Sequence, residues 1–267
     1  TGPIIDIMEA QTDIGACQPK IRSMHNSDLF DYAGAAGGML DLFGYPFARG
    51  RVFWTVERDV GQYDDEADIF WASGAAMVVR RSVWEKVGGL ASIFFLYAEE
   101  IDFCWQLQRL GYRIVCVPRS IVYHRGSVST SSLHAKRAFL ISRNHLILVL
   151  KNYSYQQLFF LFPVRLLLEL INVLYALLKR QPEWAVAILR SLGAVMQSLP
   201  SVWRSRKNAA KALGNMTGSP IFYRGSVVFE YFIRKRLTYA ELNGTDHATS
   251  HSCAQLVSPF DGNYQVK

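Results

Sequence analysis

From Leu158 to Leu178 the sequence is apolar for long enough to cross a bilayer, yet Pro163, Arg165, Glu169 and Asn172 interrupt it. An arginine at mid-depth costs about 2.5–3.5 kcal/mol on insertion scales, so the pattern predicts helices lying in the membrane interface rather than a simple span. Trp184 to Leu199 is a second such segment. Trp203-Arg204-Ser205-Arg206-Lys207 ends it with a cationic cluster suited to acidic headgroups. The alternative is an ordinary helical subdomain with a solvated basic face.

The formal net charge of +7 is concentrated in the same part of the chain. Residues 1–133 hold 12 Lys/Arg against 16 Asp/Glu, residues 134–211 hold 12 against 2, and residues 212–267 hold 5 against 4. Basicity that coincides with the most apolar stretch points to a lipid surface and away from nucleic acid. Cys17, Cys104, Cys116 and Cys253 show neither a C-x-x-C pair nor a zinc spacing, which fits free, mostly buried thiols in a reducing cytoplasm. The chain opens Thr1-Gly2-Pro3 without an initiator Met or a signal core, so a processed or partial chain is expected.

Ahead of the basic part the pattern is that of an α/β layer. Ile14 to Arg22 reads as a short strand that Pro19 confines to an edge or an exit. Met24 to Asp68 has no sustained period and reads as a substrate loop region. Ile69 to Arg80 is a nearly continuous apolar run, predicted as one strand buried on both faces. Arg81 to Val87 is a short helix stopped by Gly88-Gly89, and Glu99 to Leu110 is an amphipathic helix with acids on its first turn. Two short strands follow, Tyr112 to Pro118 and Ser120 to His124. Residues 1–133 are thus expected as one α/β unit, 134–239 as a basic helical region and 240–267 as a flexible tail.

Three features stand within about fifty residues: Ser73-Gly74-Ala75 at a strand end, Glu99-Glu100-Ile101-Asp102 at a helix start, and His124 after a strand. Small residues at Gly74 and Ala75 would let a sugar or its diphosphate approach the backbone, although taken alone they are more often explained by tight strand packing. Adjacent helical carboxylates diverge by about a hundred degrees, so only one of Glu99 and Glu100 can face a cavity as a base. Such a pair does not face itself across a glycosidic bond, which argues against hydrolysis. Trp71, just ahead of the Gly-Ala turn, is the aromatic most suited to stack on a sugar; Tyr45, Phe53 and Trp54 are expected in the core.

In order and flanking residues, Trp71-x-Ser73-Gly74-Ala75-Ala76-Met77, Val87-Gly88-Gly89-Leu90, Phe94-Phe95-x-Tyr97-x-Glu99-Glu100-Ile101-Asp102-x-Cys104-Trp105 and Tyr123-His124-x-Gly126 resemble the family 2 glycosyltransferases, similar to bacterial rhamnosyltransferase-like enzymes. The resemblance is dense over residues 69–126, weaker from 14 to 68, and looser through the helical region to about 239. It implies the acceptor-side half of a GT-A-like mixed sheet followed by membrane-associated α-helices, with the nucleotide-binding half and its Asp-x-Asp motif absent. It also implies an inverting, metal-dependent hexosyltransferase that moves a sugar from a nucleotide-diphospho-sugar to a glycan or lipid-linked acceptor in cell-surface polysaccharide synthesis, at the cytoplasmic face of a bacterial inner membrane.

By the same resemblance Glu100 takes the place of the base, with Glu99 beside it as a rival, and His124 helps hold a divalent metal, Mg or Mn. Trp71, Ser73, Gly74, Ala75 and Asp102 are the expected substrate contacts. Many relatives carry Asp at position 100, and the extra methylene here moves the carboxylate by about an ångström. After Gly126 many relatives continue with glycine, where this chain has Ser127-Val128-Ser129. The chain alone is expected to be inactive, and a non-catalytic membrane-bound scaffold is the competing class.

Overall fold

The computed structural model describes residues 1–125, 131–214, 218–244 and 254–256. Gly126, the 127–129 loop and most of the expected tail lie outside the described residues. In chain order the elements are α1 (Gly2–Ala10), β1 (Ile14–Ser23), β2 (Gly38–Leu40), β3 (Pro46–Ala48), β4 (Arg51–Val52), β5 (Thr55–Glu57), β6 (Ala67–Asp68), β7 (Val78–Val79), α2 (Arg81–Val87), α3 (Glu99–Arg109) and β8 (Arg113–His124). There follow α4 (Ser131–Asn152), α5 (Tyr155–Leu178), α6 (Pro182–Leu213), α7 (Val227–Phe232), α8 (Tyr239–Leu242) and β9 (Ala254–Leu256).

The central sheet has the order β6-β8-β1-β7, with β1 and β8 parallel and the other pairs antiparallel, so it is mixed as expected. Its two long strands are buried on both faces with a period of two. Ile114 and Cys116 face the main core under α3, whereas Val115 and Val117 face Ile4, Ile7 and Met8 of α1. β1 is therefore central, not an edge. Its Pro19 pairs with Val117 and the next pair is Lys20 with Ile121, so β8 carries extra residues at Pro118. This irregularity absorbs two prolines that could not donate to a regular ladder. It also joins the two short strands expected at 112–124 into one.

The apolar run Ile69 to Arg80 is not one strand. It leaves the sheet just after β6, where the Ile69 N–H donates to Ile114 O, bridges Gly38 at Trp71, turns at Gly74 to Ala76, and re-enters as β7. The irregular stretch ahead of it folds into a second, antiparallel sheet of order β2-β3-β4-β5-β9. Part of the expected tail contributes to it: α8 is buried, and β9 pairs with β5. α2 and α3 fall where the glycine stop and the acidic start placed them, with Gly88 at φ 83° closing α2.

The basic region is three long helices, and α4 packs along α6. Ser154 and Gln157 form a reciprocal cap that starts α5. α5 has two faces. Phe160, Val164, Leu167, Ile171, Leu174 and Leu178, spaced four, three, four, three and four residues apart, are 40–74% exposed. Arg165 and Glu169 are buried against the protein and paired at 2.7 Å. The charges that interrupt the apolar run thus face inward, away from any bilayer. α5 and α6 are both long and apolar enough to cross a membrane.

Candidate active site

A cavity of about 720 Å³ lies between the α/β unit and the helices. α3 contributes Glu100 and Ile101, α4 contributes Arg137, Ser142 and His145, and α5 contributes Arg165, Glu169 and Asn172. A volume of this order suits a small-molecule substrate.

Glu100 lines the cavity and Glu99 does not. The Oε2 atom of Glu100 is shielded from solvent and has no hydrogen-bond partner. Burial first, and then the neighbouring Glu99 charge, push its carboxyl up to about 7. A carboxyl in that range exchanges protons readily at neutral pH.

The loop that delivers Glu100 is held open from behind. Phe95, Tyr97 and Ala98 all have left-handed backbone, with φ of 64°, 69° and 71°. Non-glycine residues adopt that region at a cost, so something must hold them there. The fully buried amide of Asn144 on α4 donates to the carbonyls of Phe94, Leu96 and Tyr97 at 2.7–2.8 Å, and Arg143 donates to that of Ile93. Sequence reading missed this pair, which has no motif of its own in one sequence.

Ser73 and Trp71 also line the cavity. Trp71 Nε1 donates to Met39 O at 2.9 Å, and its ring lies over Gly38, where a Cβ would come within 2.0 Å of it. Gly38→Ala is expected to displace the indole and lower stability by about 1–3 kcal/mol, read by thermal unfolding. The Ser73 backbone N–H donates to Gln18 Oε1 at 2.7 Å, and Gln18 Nε2 donates to Gly34 O, so a buried amide on β1 ties two cavity loops together. Gly74 and Ala75 flank the cavity without lining it. A Cβ on Gly74 would meet nothing within 4 Å, so packing does not demand glycine there. Tyr45, Phe53 and Trp54, expected only in the core, line the cavity as well.

Asp102 is placed elsewhere. Two residues beyond Glu100 on a helix is about 200° around the axis, so it points away from the cavity. It is buried in an ion pair with Lys151 and accepts from Asn152 Nδ2 at 2.8 Å. Gln106 and Arg109, one and two turns on, also bind Asn152, so this stripe of α3 docks onto the end of α4.

His124 Nδ1 lies 3.0 Å from Asp31 Oδ1, and Asp31 precedes the cavity residues Tyr32 and Ala33. A carboxylate on one ring nitrogen is the usual way to aim the other at a metal. Among the described residues no three His, Cys, Asp or Glu side chains gather as a metal set. The residues thus fit one imidazole ligand, oriented by Asp31, and not a complete site. Asp31 was missed because it is distant in sequence from His124, although Ser23 and His124 pair across the sheet.

Residues 54–239 match the family described as glycosyl transferase family group 2. The chain belongs to that family. Over 94 residues it is 34% identical to an N-acetylglucosaminyl-diphospho-decaprenol L-rhamnosyltransferase of Mycobacterium tuberculosis, covering 35% of this chain and 30% of the relative. Over 66 residues it is 33% identical to the rhamnosyltransferase WbbL of Escherichia coli, covering 25% of each. The matched part is therefore less than a third of either relative's length.

Proposed function

We propose that this chain carries the acceptor side of an inverting glycosyltransferase that moves a sugar, in the rhamnosyltransferase manner, from a nucleotide-diphospho-sugar to a lipid-linked glycan in cell-surface polysaccharide synthesis. The observation that carries this reading is Glu100, a desolvated carboxyl with an unpartnered oxygen on the wall of a cavity. Its proton affinity matches a base working near neutral pH. In the reaction the acceptor hydroxyl gives its proton to Glu100 as its oxygen bonds the anomeric carbon, and the bond from that carbon to the nucleoside diphosphate breaks. One displacement inverts the configuration.

Trp71, Ser73, Gly74 and Ala75 are proposed to bound the sugar, and His124 with Asp31 behind it to offer one ligand to a divalent metal. When bound, Mg or Mn would neutralise charge on the departing diphosphate. Glu99 is assigned to raising the basicity of its neighbour. Asn144 is a positioning residue: Asn144→Ala is expected to slow turnover by about tenfold or more, through a displaced Glu100, while acceptor KM changes little. Steady-state kinetics that show KM rising with turnover unchanged would refute that role.

The outward stripe of α5, with exposed Val186, Leu189 and Met196 on α6, supports membrane association with these helices in the interface, and the cytoplasmic face of a bacterial membrane is the proposed location. The test of the whole reading is transfer from a nucleoside-diphospho-rhamnose to a prenyl-diphospho-N-acetylglucosamine by the full-length encoded protein with membranes. An inverted linkage by NMR is the expected product. Lipid-acceptor binding without turnover, unchanged in Glu100→Gln, would favour the scaffold.

A further inference from the structure

Among the described residues the cavity lining carries three guanidinium groups, on Arg51, Arg137 and Arg165, and two carboxyls, on Glu100 and Glu169. Arg51 on β4 and Arg165 on α5 are both over nine-tenths buried, and both line it. Arg51 lies over the Tyr32 ring at 4.3 Å and Arg165 over the Tyr45 ring at 3.5 Å, so each guanidinium rests on an aromatic face. Arg165 bonds Glu169 through Nη2, which leaves its Nε and Nη1 without a hydrogen-bond partner, and Arg51 Nε is likewise unpartnered. Buried guanidinium donors left unmatched cost free energy, and native proteins seldom leave several on one wall.

His145 on the same wall is held neutral down to about 3, by its burial first and then by the Arg165 and Arg51 charges. Arg137 adds a third guanidinium near Tyr32 and Tyr97. On the lining, Glu169 is already paired with Arg165 and burial keeps Glu100 partly protonated near neutral pH, while the buried Asp41 carboxyl also acts on Arg165. The wall is complementary to an anion with several oxygens.

Much of the remaining lining is apolar and leads outward. Phe53, Trp54, Tyr175 and Phe232 pack ring on ring, with Trp54 stacked on Tyr175 at 5.9 Å. Ile171, Phe229 and Ile233 continue this lining and are 51%, 47% and 66% exposed, and Ile171 belongs to the outward stripe of α5. One cavity therefore joins a base, a buried cationic wall and an apolar exit onto the face proposed to meet lipid.

We propose that Arg51 and Arg165 form the diphosphate cradle of a prenyl-diphospho-linked acceptor, whose hydrocarbon leaves past Phe232 and Ile171 while its sugar hydroxyl reaches Glu100. This rests on the transferase reading for the last contact only; the cradle is a binding site in its own right. A charge-assisted fork on phosphate oxygens would satisfy the unpartnered donors and fix the register of the acceptor against the base. The donor's diphosphate is assigned to the His124 side and does not use these arginines.

The test is binding of radiolabelled farnesyl diphosphate to the full-length encoded protein in detergent, with farnesol, inorganic diphosphate and a nucleoside diphosphate as competitors. Farnesyl diphosphate is expected to bind, farnesol and inorganic diphosphate to compete poorly, and Arg51→Gln to weaken binding about tenfold or more, since a charged fork is lost. Arg165→Gln alone strands Glu169, so the double variant Arg165→Gln/Glu169→Gln serves as the second probe, with the same loss expected. Nucleoside diphosphate binding should survive in all variants. Equal farnesyl diphosphate binding by wild type and both variants overturns the cradle. So does a parallel loss of nucleoside diphosphate binding, which would make these the donor's ligands. Glu100→Gln separates the two claims: it should abolish transfer and leave farnesyl diphosphate binding intact. Arginine-dependent lipid binding in a protein that never turns over would keep the cradle and refute the transferase.

Discussion

Replacing Glu100 by Gln should lower sugar transfer at pH 7.5 by about 10²–10⁴, the range that a positioned general base supplies. The amide is nearly isosteric and cannot take the acceptor's proton, so binding should hold while turnover falls. Glu99→Gln should do far less to turnover at high pH, because Glu99 acts through its charge. Removing that charge lets the Glu100 carboxyl ionise at lower pH, so the acid limb of the rate profile should move down in Glu99→Gln. In the wild type the base is the ionised form, and burial with the Glu99 charge holds the carboxyl near 7 instead of its ordinary 4.5. Transfer should therefore rise with pH between about 6 and 8 and then level. Stability should respond with the opposite sign. The folded protein holds this proton more tightly than the unfolded chain, so the group's contribution falls as pH rises from 4.5 through 7. Glu100→Gln should consequently raise the Tm at pH 8 relative to wild type, with a smaller gain at pH 5. A variant that loses stability at pH 8 together with its activity would point to a structural carboxylate.

The extent to which the sequence disclosed this site depended on how local each signal was. α2 and α3 were legible because a glycine stop and an acidic first turn lie within the elements they bound. The central place of β1 was not, because Pro19 argues for an edge until the matching irregularity at Pro118 in its partner is known. The continuous apolar run at Ile69 to Arg80 fitted one strand, yet Gln18 Oε1 captures the Ser73 backbone N–H and draws the chain off the sheet. The cavity's far wall did leave a trace. Arg165, Glu169 and Asn172 stand at i, i+4 and i+7 in an otherwise apolar helix, a polar face that must meet protein or water. They counted as obstacles to a membrane span when they were the lining of a site. Arg51, Asn144 and Asp31 left no such trace, since each acquires its partners only through long-range packing.

Breaking the Lys151–Asp102 pair should strongly destabilise the docking of α3 onto α4, where the Asp102 carboxyl is engaged. Both side chains are 4% exposed or less, and Asn152 satisfies the other carboxylate oxygen. Lys151→Met leaves the buried Asp102 carboxyl without its counter-charge, a change that costs about 3–5 kcal/mol in comparable buried pairs. The double variant Lys151→Met/Asp102→Asn removes both charges and should recover much of that loss, because Asn152 can still bond a neutral amide. Thermal unfolding of the two singles and the double gives the coupling directly. The pair lies on the far side of α3 from Glu100, so Asp102→Asn should lower the Tm while the turnover of the folded protein, and its pH profile, stay close to wild type. A fall in turnover without loss of stability would return Asp102 to the substrate. The same geometry explains how one short acidic run makes two kinds of contact: alternate carboxylates on a helix face opposite ways, Glu100 toward the cavity and Asp102 toward α4.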